Sequence, residues 1–231
     1  MSKYSIEFSR TTIIKYLNIT MLVLVMASLY VQLIRNITGH DSMMGMVALF
    51  DVNAEANIPT FFSVLLLMFA CLLLKVIAHI ETKYKTHWII LSVGFLFMSL
   101  DEFAMLHDKL TPITQRLLGT SGSGVFYFAW IIPAIILICI LAIYFYKFLF
   151  QLPKKTRISF ILSGSIYLAG AIGMELVGGH YLETHSRNLT YMMIYNVEET
   201  LEMIGSILFI DALLAFIIED QADLTFKFVK A

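Results

Sequence analysis

Six long apolar runs, separated by short polar segments, dominate the chain. The runs cover approximately residues 13–33, 58–78, 88–105, 125–148, 158–177 and 192–218. Each run is long enough for a helix to cross the roughly 30 Å hydrocarbon core of a bilayer. The pattern therefore predicts an all-α fold, a polytopic membrane helix bundle with six transmembrane helices that forms a single integral membrane domain over residues 1–231.

Composition and charge agree with a membrane protein. Hydrophobic residues make up 59% of the chain and charged residues only 14%, whereas soluble domains have roughly 45–50% and about 25%. If successive loops alternate between the two membrane faces, twelve of the sixteen Lys and Arg residues share one face, leaving Arg35, Lys109, Arg116 and Arg187 on the other. The positive-inside rule then predicts that both termini are cytoplasmic. The net charge of -1 gives no reason to expect nucleic acid as a partner.

Acidic and histidine side chains gather at the outer ends of three of these runs, on the face opposite the termini. A carboxylate at the centre of a membrane helix costs about 2.5–3.5 kcal/mol on insertion scales, so a cluster drawn from several helices suggests a functional site. Glu202 is the deepest member and the strongest candidate for a functional role. The candidate metal ligands are Asp101, Glu102, His107, Glu175, His180, Glu198, Glu199 and Glu202.

Two Glu-x4-His segments lie near the ends of the third and fifth runs. Residues five apart are separated by about 140° around a regular helix, so Glu102 and His107 could share an ion only through a π-bulge or a frayed helix end. In the second segment, Gly178–Gly179 is expected to end the helix and turn the chain back. His180 could then reach over Glu175.

The sixth run places Glu202 one helical turn below Glu198 and Glu199. Like charges at this spacing repel, and in a low-dielectric setting they persist only if a cation bridges them or a proton is shared. Before the second run, Asp51 and Glu55 are possible outer ligands.

Two further features are expected to be structural. Asp211, an isolated acid on the inner half of the sixth run, is expected to pair with a hydroxyl or with a lysine such as Lys75. The stripe of small residues at Ser165, Ala169 and Gly173 is expected to let a neighbouring helix approach closely.

Four segments stand together as a motif set: residues 50–60, residues 99–102 with His107, residues 170–175, and residues 198–205. On these segments the chain resembles a group of uncharacterised bacterial six-helix membrane proteins. The resemblance implies a bacterial protein and transfers no activity. Together with the loop charges, it leads us to expect a location in the bacterial inner membrane with the site on the periplasmic or extracytoplasmic side. A more distant likeness is to membrane hydrolases of the alkaline ceramidase type, which place zinc, Asp and His near one membrane face. Those proteins have seven helices and a late His-x3-His pair that this chain lacks, so the assignment is not adopted.

Mixed carboxylate and imidazole ligands suit iron, zinc or manganese. The leading hypothesis is therefore a protein that binds one or two divalent metal ions, and such a protein could act as a membrane metalloenzyme on a lipid or quinone. The alternatives are a cation- or proton-coupled transporter, a b-type haem protein that uses His107 and His180, and a structural or assembly subunit. The metal, the substrate and the oligomeric state stay open at this level.

Overall fold

The computed structural model describes residues 9–39, 42–54, 56–119, 124 and 127–220. Within these ranges the chain is helical, with no strand. The elements are α1 (Arg10–Thr38), a 3-10 turn (Met43–Gly45), α2 (Met46–Phe50), α3 (Ile58–Ile80), α4 (Lys85–Ala104), α5 (Leu106–Leu118), α6 (Ile131–Gln151), α7 (Lys154–Leu168), a π-helical segment (Ala169–Met174), α8 (Glu175–Thr184) and α9 (Leu189–Asp220).

In the described part of the chain, six helical stretches are long and apolar enough to cross a membrane. They are α1, α3, α4, α6, the continuous stretch from α7 through α8, and α9. The predicted all-α class and the six membrane-crossing helices are confirmed. The boundaries differ most in the fifth crossing, which the sequence pattern ended near residue 177 and which continues to Thr184.

Helix α5 is an addition to the predicted six. It begins where the backbone breaks at Met105, whose φ of 51° and ψ of 47° are left-handed. None of its residues is buried, and Leu110, Ile113 and Leu117 are exposed on its surface. Its mixed composition and its place directly after a membrane-crossing helix are typical of a helix that lies along a membrane surface.

Helix α9 is the centre of the bundle. It packs against α1, α3, α7, the π-helical segment and α8. Its side chains Met203, Ile207, Ile210 and Leu213 are at most 1% exposed. The core therefore runs along one helix that holds most of the others in place.

Two glycines let α9 and the α7 side of the bundle approach each other closely. A Cβ atom added at Gly170 would lie 2.7 Å from the carbonyl oxygen of Glu198, and one added at Gly205 would lie 2.7 Å from the backbone nitrogen of Tyr167. Since lipid tails are as apolar as leucine, such close packing is a main source of helix association in membranes. The predicted small-residue stripe was wrong in its register, because a Cβ atom at Gly173 meets nothing within 4 Å.

Two acids proposed from the sequence have structural partners instead. Asp211 receives two hydrogen bonds from the Arg10 guanidinium, from Nε at 2.6 Å and Nη2 at 2.7 Å, so the suggested pairing with Lys75 was wrong. Asp51 is buried and accepts hydrogen bonds from Gln32 Nε2 at 3.0 Å and from the Tyr195 hydroxyl at 3.4 Å. It ties the segment before α3 to α1 and α9. Glu55 lies outside the described residues.

Candidate functional site

A cavity of about 320 Å³ lies at the end of the bundle where α4 stops and α9 begins. Its walls come from α4, α5, the segments before α3 and α6, the stretch from α7 through α8, and α9. Seven of the eight candidate residues line it: Asp101, Glu102, His107, Glu175, Glu198, Glu199 and Glu202. The structure therefore brings together side chains that lie up to 101 positions apart in the chain.

The break at Met105 places His107 on the cavity wall. After the break, the backbone N–H of His107 donates a hydrogen bond to Asp101 Oδ1 at 2.7 Å, and His107 Nδ1 lies 3.0 Å from Asp101 Oδ2. One carboxylate thus both caps the start of α5 and orients the imidazole. The helix is indeed distorted within this motif, and the hydrogen bonds recorded for His107 go to Asp101.

The π-helical segment sets the position of Glu175, the first residue after it. A π-turn adds a residue to a helical turn and re-aims the side chains that follow, and such turns are frequent at functional sites. Glu175 Oε1 accepts a hydrogen bond from Trp130 Nε1 at 3.2 Å. Its carboxyl group also lies within hydrogen-bonding reach of Glu198. Two carboxyl groups at this separation need a shared proton or a bridging cation.

Helix α9 contributes three glutamates in its first half, Glu198, Glu199 and Glu202. The carboxyl group of the deepest of them, Glu202, lies within hydrogen-bonding reach of the hydroxyl of Tyr167 on α7. The carbonyl oxygen of Glu198 and the side chain of Glu202 are also the atoms that Gly170 lets come close. The glycine contact therefore fixes the distance between the two acid-bearing walls.

His180 is the one candidate that does not line the cavity. The Gly178–Gly179 pair does not end the helix, because both glycines lie inside α8. The absence of their side chains admits Tyr127 and Tyr191 instead, at 3.0 Å and 3.5 Å from an added Cβ atom. The His180 side chain is 67% exposed and faces Glu183 at 3.8 Å. The two histidines are thus not positioned as a pair of haem ligands.

The charge state of His107 follows from its neighbours. Burial lowers the pKa of the imidazole, but the hydrogen bond to Asp101 and the charges of Asp101, Asp108 and Glu175 raise it more, to about 9. At neutral pH the ring is therefore protonated, and it partly neutralises the acids around it.

Sequence reasoning gave less weight to several other residues of the cavity wall, namely Asp108, Trp130, Tyr167, Arg187 and Tyr191. Asp108 shares a helix face with Asp101 in the sequence pattern and was the easiest to find. The aromatic residues could not be separated by sequence alone from the many others in the apolar runs. Arg187 was assigned to the outer face by the loop charges.

The chain belongs to the family described as Domain of unknown function (DUF8692), whose model matches residues 16–217. That range includes all eight candidate residues and part of each membrane-crossing helix. The match confirms the resemblance to an uncharacterised family. No curated protein and no solved structure matches the chain.

The donor types of the cavity suit a hard or borderline metal ion, because carboxylate oxygens and an imidazole nitrogen are the usual ligands of manganese, iron and zinc. These donor groups are not gathered around one common point. Among the described residues, no three His, Cys, Asp or Glu side chains form a ready-made metal-binding group. A metal ion would therefore need carboxylate side chains to rotate toward it.

Proposed function

We propose that the acidic cavity binds one or two divalent metal ions, of the iron, zinc or manganese class, within an integral membrane protein. One observation carries the proposal. Seven carboxyl groups from α4, α5, α8 and α9 face one cavity of about 320 Å³, whose described lining includes only two basic side chains, His107 and Arg187.

The electrostatic energy of this arrangement favours a bound cation. Two unit charges 4 Å apart interact by about 4 kcal/mol at an effective dielectric constant near 20. Seven carboxylates with two basic partners therefore repel one another by several such terms. Either protons or metal ions must offset this repulsion, and a cavity that is open to the aqueous side admits both.

The surroundings of the cavity favour a role for the ion in chemistry. His107 is hydrogen-bonded to Asp101 and Glu175 to Trp130, and Glu202 lies within reach of Tyr167, so second partners orient the groups that would act as ligands. A bound divalent ion would supply Lewis-acid activation of water or of a substrate oxygen. The residues of this chain would orient the ion and hold the shared proton of the Glu175 and Glu198 carboxyl pair.

A transporter is the weaker alternative. Below Glu202, the side chains of Met203, Ile207 and Ile210 are at most 1% exposed and apolar. The next acid along α9, Asp211, is paired with Arg10. A proton or cation would have to cross this apolar layer to leave the cavity on the opposite side of the bundle. The packing supports a closed site more than a path.

The proposed position of the cavity is the extracytoplasmic side of the membrane, and the loop charges support it. Arg187 and Arg116 belong to the sparsely basic set of loops, and the cavity end of the bundle carries them. By the positive-inside rule this end would face away from the cytoplasm. With the resemblance described above, the bacterial inner membrane is the proposed location.

The test is metal binding by the purified protein in mild detergent. We expect at least one manganese, iron or zinc ion per chain by mass spectrometry, and saturable Mn²⁺ binding by electron paramagnetic resonance. Glu175→Gln and Glu202→Gln keep the side-chain shape and remove a charge. Loss of a charged partner is worth about 1.5–3 kcal/mol, so each change should weaken Mn²⁺ binding by about tenfold to a hundredfold.

The matched control is Glu183→Gln. Glu183 lies on α8 like Glu175, but it faces His180 and does not line the cavity, so its replacement should leave Mn²⁺ affinity unchanged. Less than about one ion per two chains in the unmutated protein, or equal losses in all three variants, would refute the metal site. Proton or Mn²⁺ flux into liposomes, abolished by Glu202→Gln, would instead favour the transporter.

A further inference from the structure

An apolar groove lies next to the acidic cavity, at the middle depth of the bundle. It has a volume of about 260 Å³ and lies between α4 and α7, with α9 as its floor. Phe209 lies on the floor, and its ring is stacked on Phe95 of α4 at 4.7 Å and contacts Phe160 of α7 at 4.8 Å between ring centroids. We call this space the α4–α7 groove.

The groove exists because its walls carry small residues and because α4 and α7 do not pack closely on each other. A Cβ atom added at Gly164 meets nothing within 4 Å, so this position on α7 opens directly into free space. On α9, Gly205 has no side chain and Ser206 a small one, so the floor of the groove lies close to the α9 backbone.

Helix α6 leaves the groove open to the surrounding lipid. Its buried residues are Ile131 near its start and Phe148 near its end. Phe148 packs on Trp88 at the start of α4, and Trp130, just before α6, bonds to Glu175 at the start of α8. The middle of α6 is exposed, with Ile143 at 79%. The helix is thus attached at both ends, and none of its residues lines the groove.

The groove and the cavity adjoin each other. Met98 and Tyr167 line both spaces, and the Tyr167 hydroxyl lies within hydrogen-bonding reach of Glu202. An amphiphilic molecule could therefore lie with its apolar part at the middle depth of the membrane and its polar part among the acids.

We propose that the α4–α7 groove binds the hydrocarbon chain of a membrane amphiphile whose uncharged or cationic head enters the acidic cavity. The apolar side chains and the opening to lipid fit an alkyl chain. The excess of carboxylates on the cavity wall disfavours an anionic head. Because lipid tails are themselves apolar, the groove adds contacts and orientation, and little hydrophobic driving force. The inference deepens the proposed function by naming the substrate class, and for the headgroup site it rests on that function.

The test is photocrosslinking in phosphatidylcholine nanodiscs. The probe is hexadecylamine with a diazirine in its alkyl chain. Two further probes carry the same alkyl chain with an alcohol or a carboxylate head, so the three probes differ in the charge of the head. We expect the amine and alcohol probes to label peptides from residues 91–98 and 160–168 above the other lipid-facing segments. The carboxylate probe should label these peptides less.

Variants at two exposed helical glycines make the test specific. Gly164→Phe fills the groove, with Gly164→Leu as a milder version, and should lower labelling of the groove peptides by at least about fivefold because the chain loses its contacts. Gly94→Phe is the matched control, since a Cβ atom at Gly94 also meets nothing within 4 Å and Gly94 does not line the groove. It should leave labelling unchanged. Size exclusion and melting temperature check that each variant is folded.

The outcomes separate this proposal from the metal site. Even labelling over all lipid-facing helices, or labelling that a folded Gly164→Phe variant leaves intact, overturns the groove while leaving Mn²⁺ binding unaffected. Groove labelling in a protein that binds no Mn²⁺ would support the binding site for the hydrocarbon chain and would refute the proposed function. Stronger labelling by the carboxylate probe than by the amine and alcohol probes would refute an uncharged or cationic head group.

Discussion

Gly170 is the position where packing and the candidate site meet. Replacing it with alanine would put a Cβ atom 2.7 Å from the carbonyl oxygen of Glu198, 2.9 Å from Cγ of Glu202 and 3.1 Å from Cβ of Leu201. The first of these neighbours is backbone inside a long helix and cannot rotate away. Relief of the clash therefore requires α9 and the π-helical segment to separate.

The size of the effect follows from a comparison with Gly173. Both glycines belong to the same π-helical segment, but a Cβ atom at Gly173 meets nothing within 4 Å. Replacing a helical glycine with alanine stabilises a helix by up to about 1 kcal/mol, because alanine loses less backbone entropy on folding. This gain is similar at the two positions and cancels when the two variants are compared. The remaining difference is the cost of overpacking, about 1–3 kcal/mol.

The assay is thermal unfolding in detergent, followed by a thiol-reactive dye. Cys71 is buried and Cys139 is exposed, so a Cys139→Ser background makes Cys71 the reporter of unfolding. At roughly 2–4 °C per kcal/mol for a chain of this size, Gly170→Ala should melt about 2–12 °C below Gly173→Ala.

A second readout links this packing to the site. Separation of the two walls moves Glu175 away from Glu198, so Gly170→Ala should also weaken Mn²⁺ binding while Gly173→Ala should not. A Gly170→Ala protein that melts at or above the Gly173→Ala protein would refute the close approach of these helices. Equal Mn²⁺ affinity in the two variants would refute its role in the site.

Two other predictions concern charged pairs. Arg10→Ala removes the partner of Asp211 and should lower the free energy of unfolding by about 1.5–3 kcal/mol. Lys155→Ala breaks the exposed ion pair between Lys155 and Glu219 and should change the free energy of unfolding by less than about 1 kcal/mol. Equal effects of the two changes in thermal unfolding would contradict this ranking. Because the folded pKa of His107 is raised to about 9, its charged interactions stabilise the protein fully below about pH 6.5 and are lost as pH rises through about 9. With metal removed by a chelator, the unmutated protein should exceed His107→Asn in stability by at most roughly 3 kcal/mol near pH 6, and by much less near pH 10. A difference that does not change with pH would exclude this ion pair, and Asp101→Asn should reduce the pH dependence.

The sequence located the site better than it described the site's geometry. Because a carboxylate in hydrocarbon has a high free-energy cost, the sequence alone identified Glu102, Glu175 and Glu202 as candidate site residues. All three line one cavity. Loop charges and helix lengths placed them at one end of the bundle. The rotation of each helix about its axis leaves no such signal in one sequence, so the contacts between acids could not be derived.

Two local distortions explain most of the differences. The left-handed residue Met105 turns His107 toward Asp101, and the π-helical segment changes the direction of Glu175. The break at Met105 is stabilised by the hydrogen bond from the His107 N–H to Asp101, and the π-helical segment packs on α9. His180 was misassigned because the Gly178–Gly179 pair was interpreted as a helix end.

The sequence by itself determined the fold class of the protein and the end of the bundle at which its acidic residues lie. Both follow from the length of each apolar segment and from the cost of burying a charge in it. Tertiary structure decided which acids meet, which helix forms the centre and where the groove opens, because these depend on how close two helices can come. That distance is set at Gly170 and Gly205, where the absence of a side chain matters only in relation to a partner on another helix.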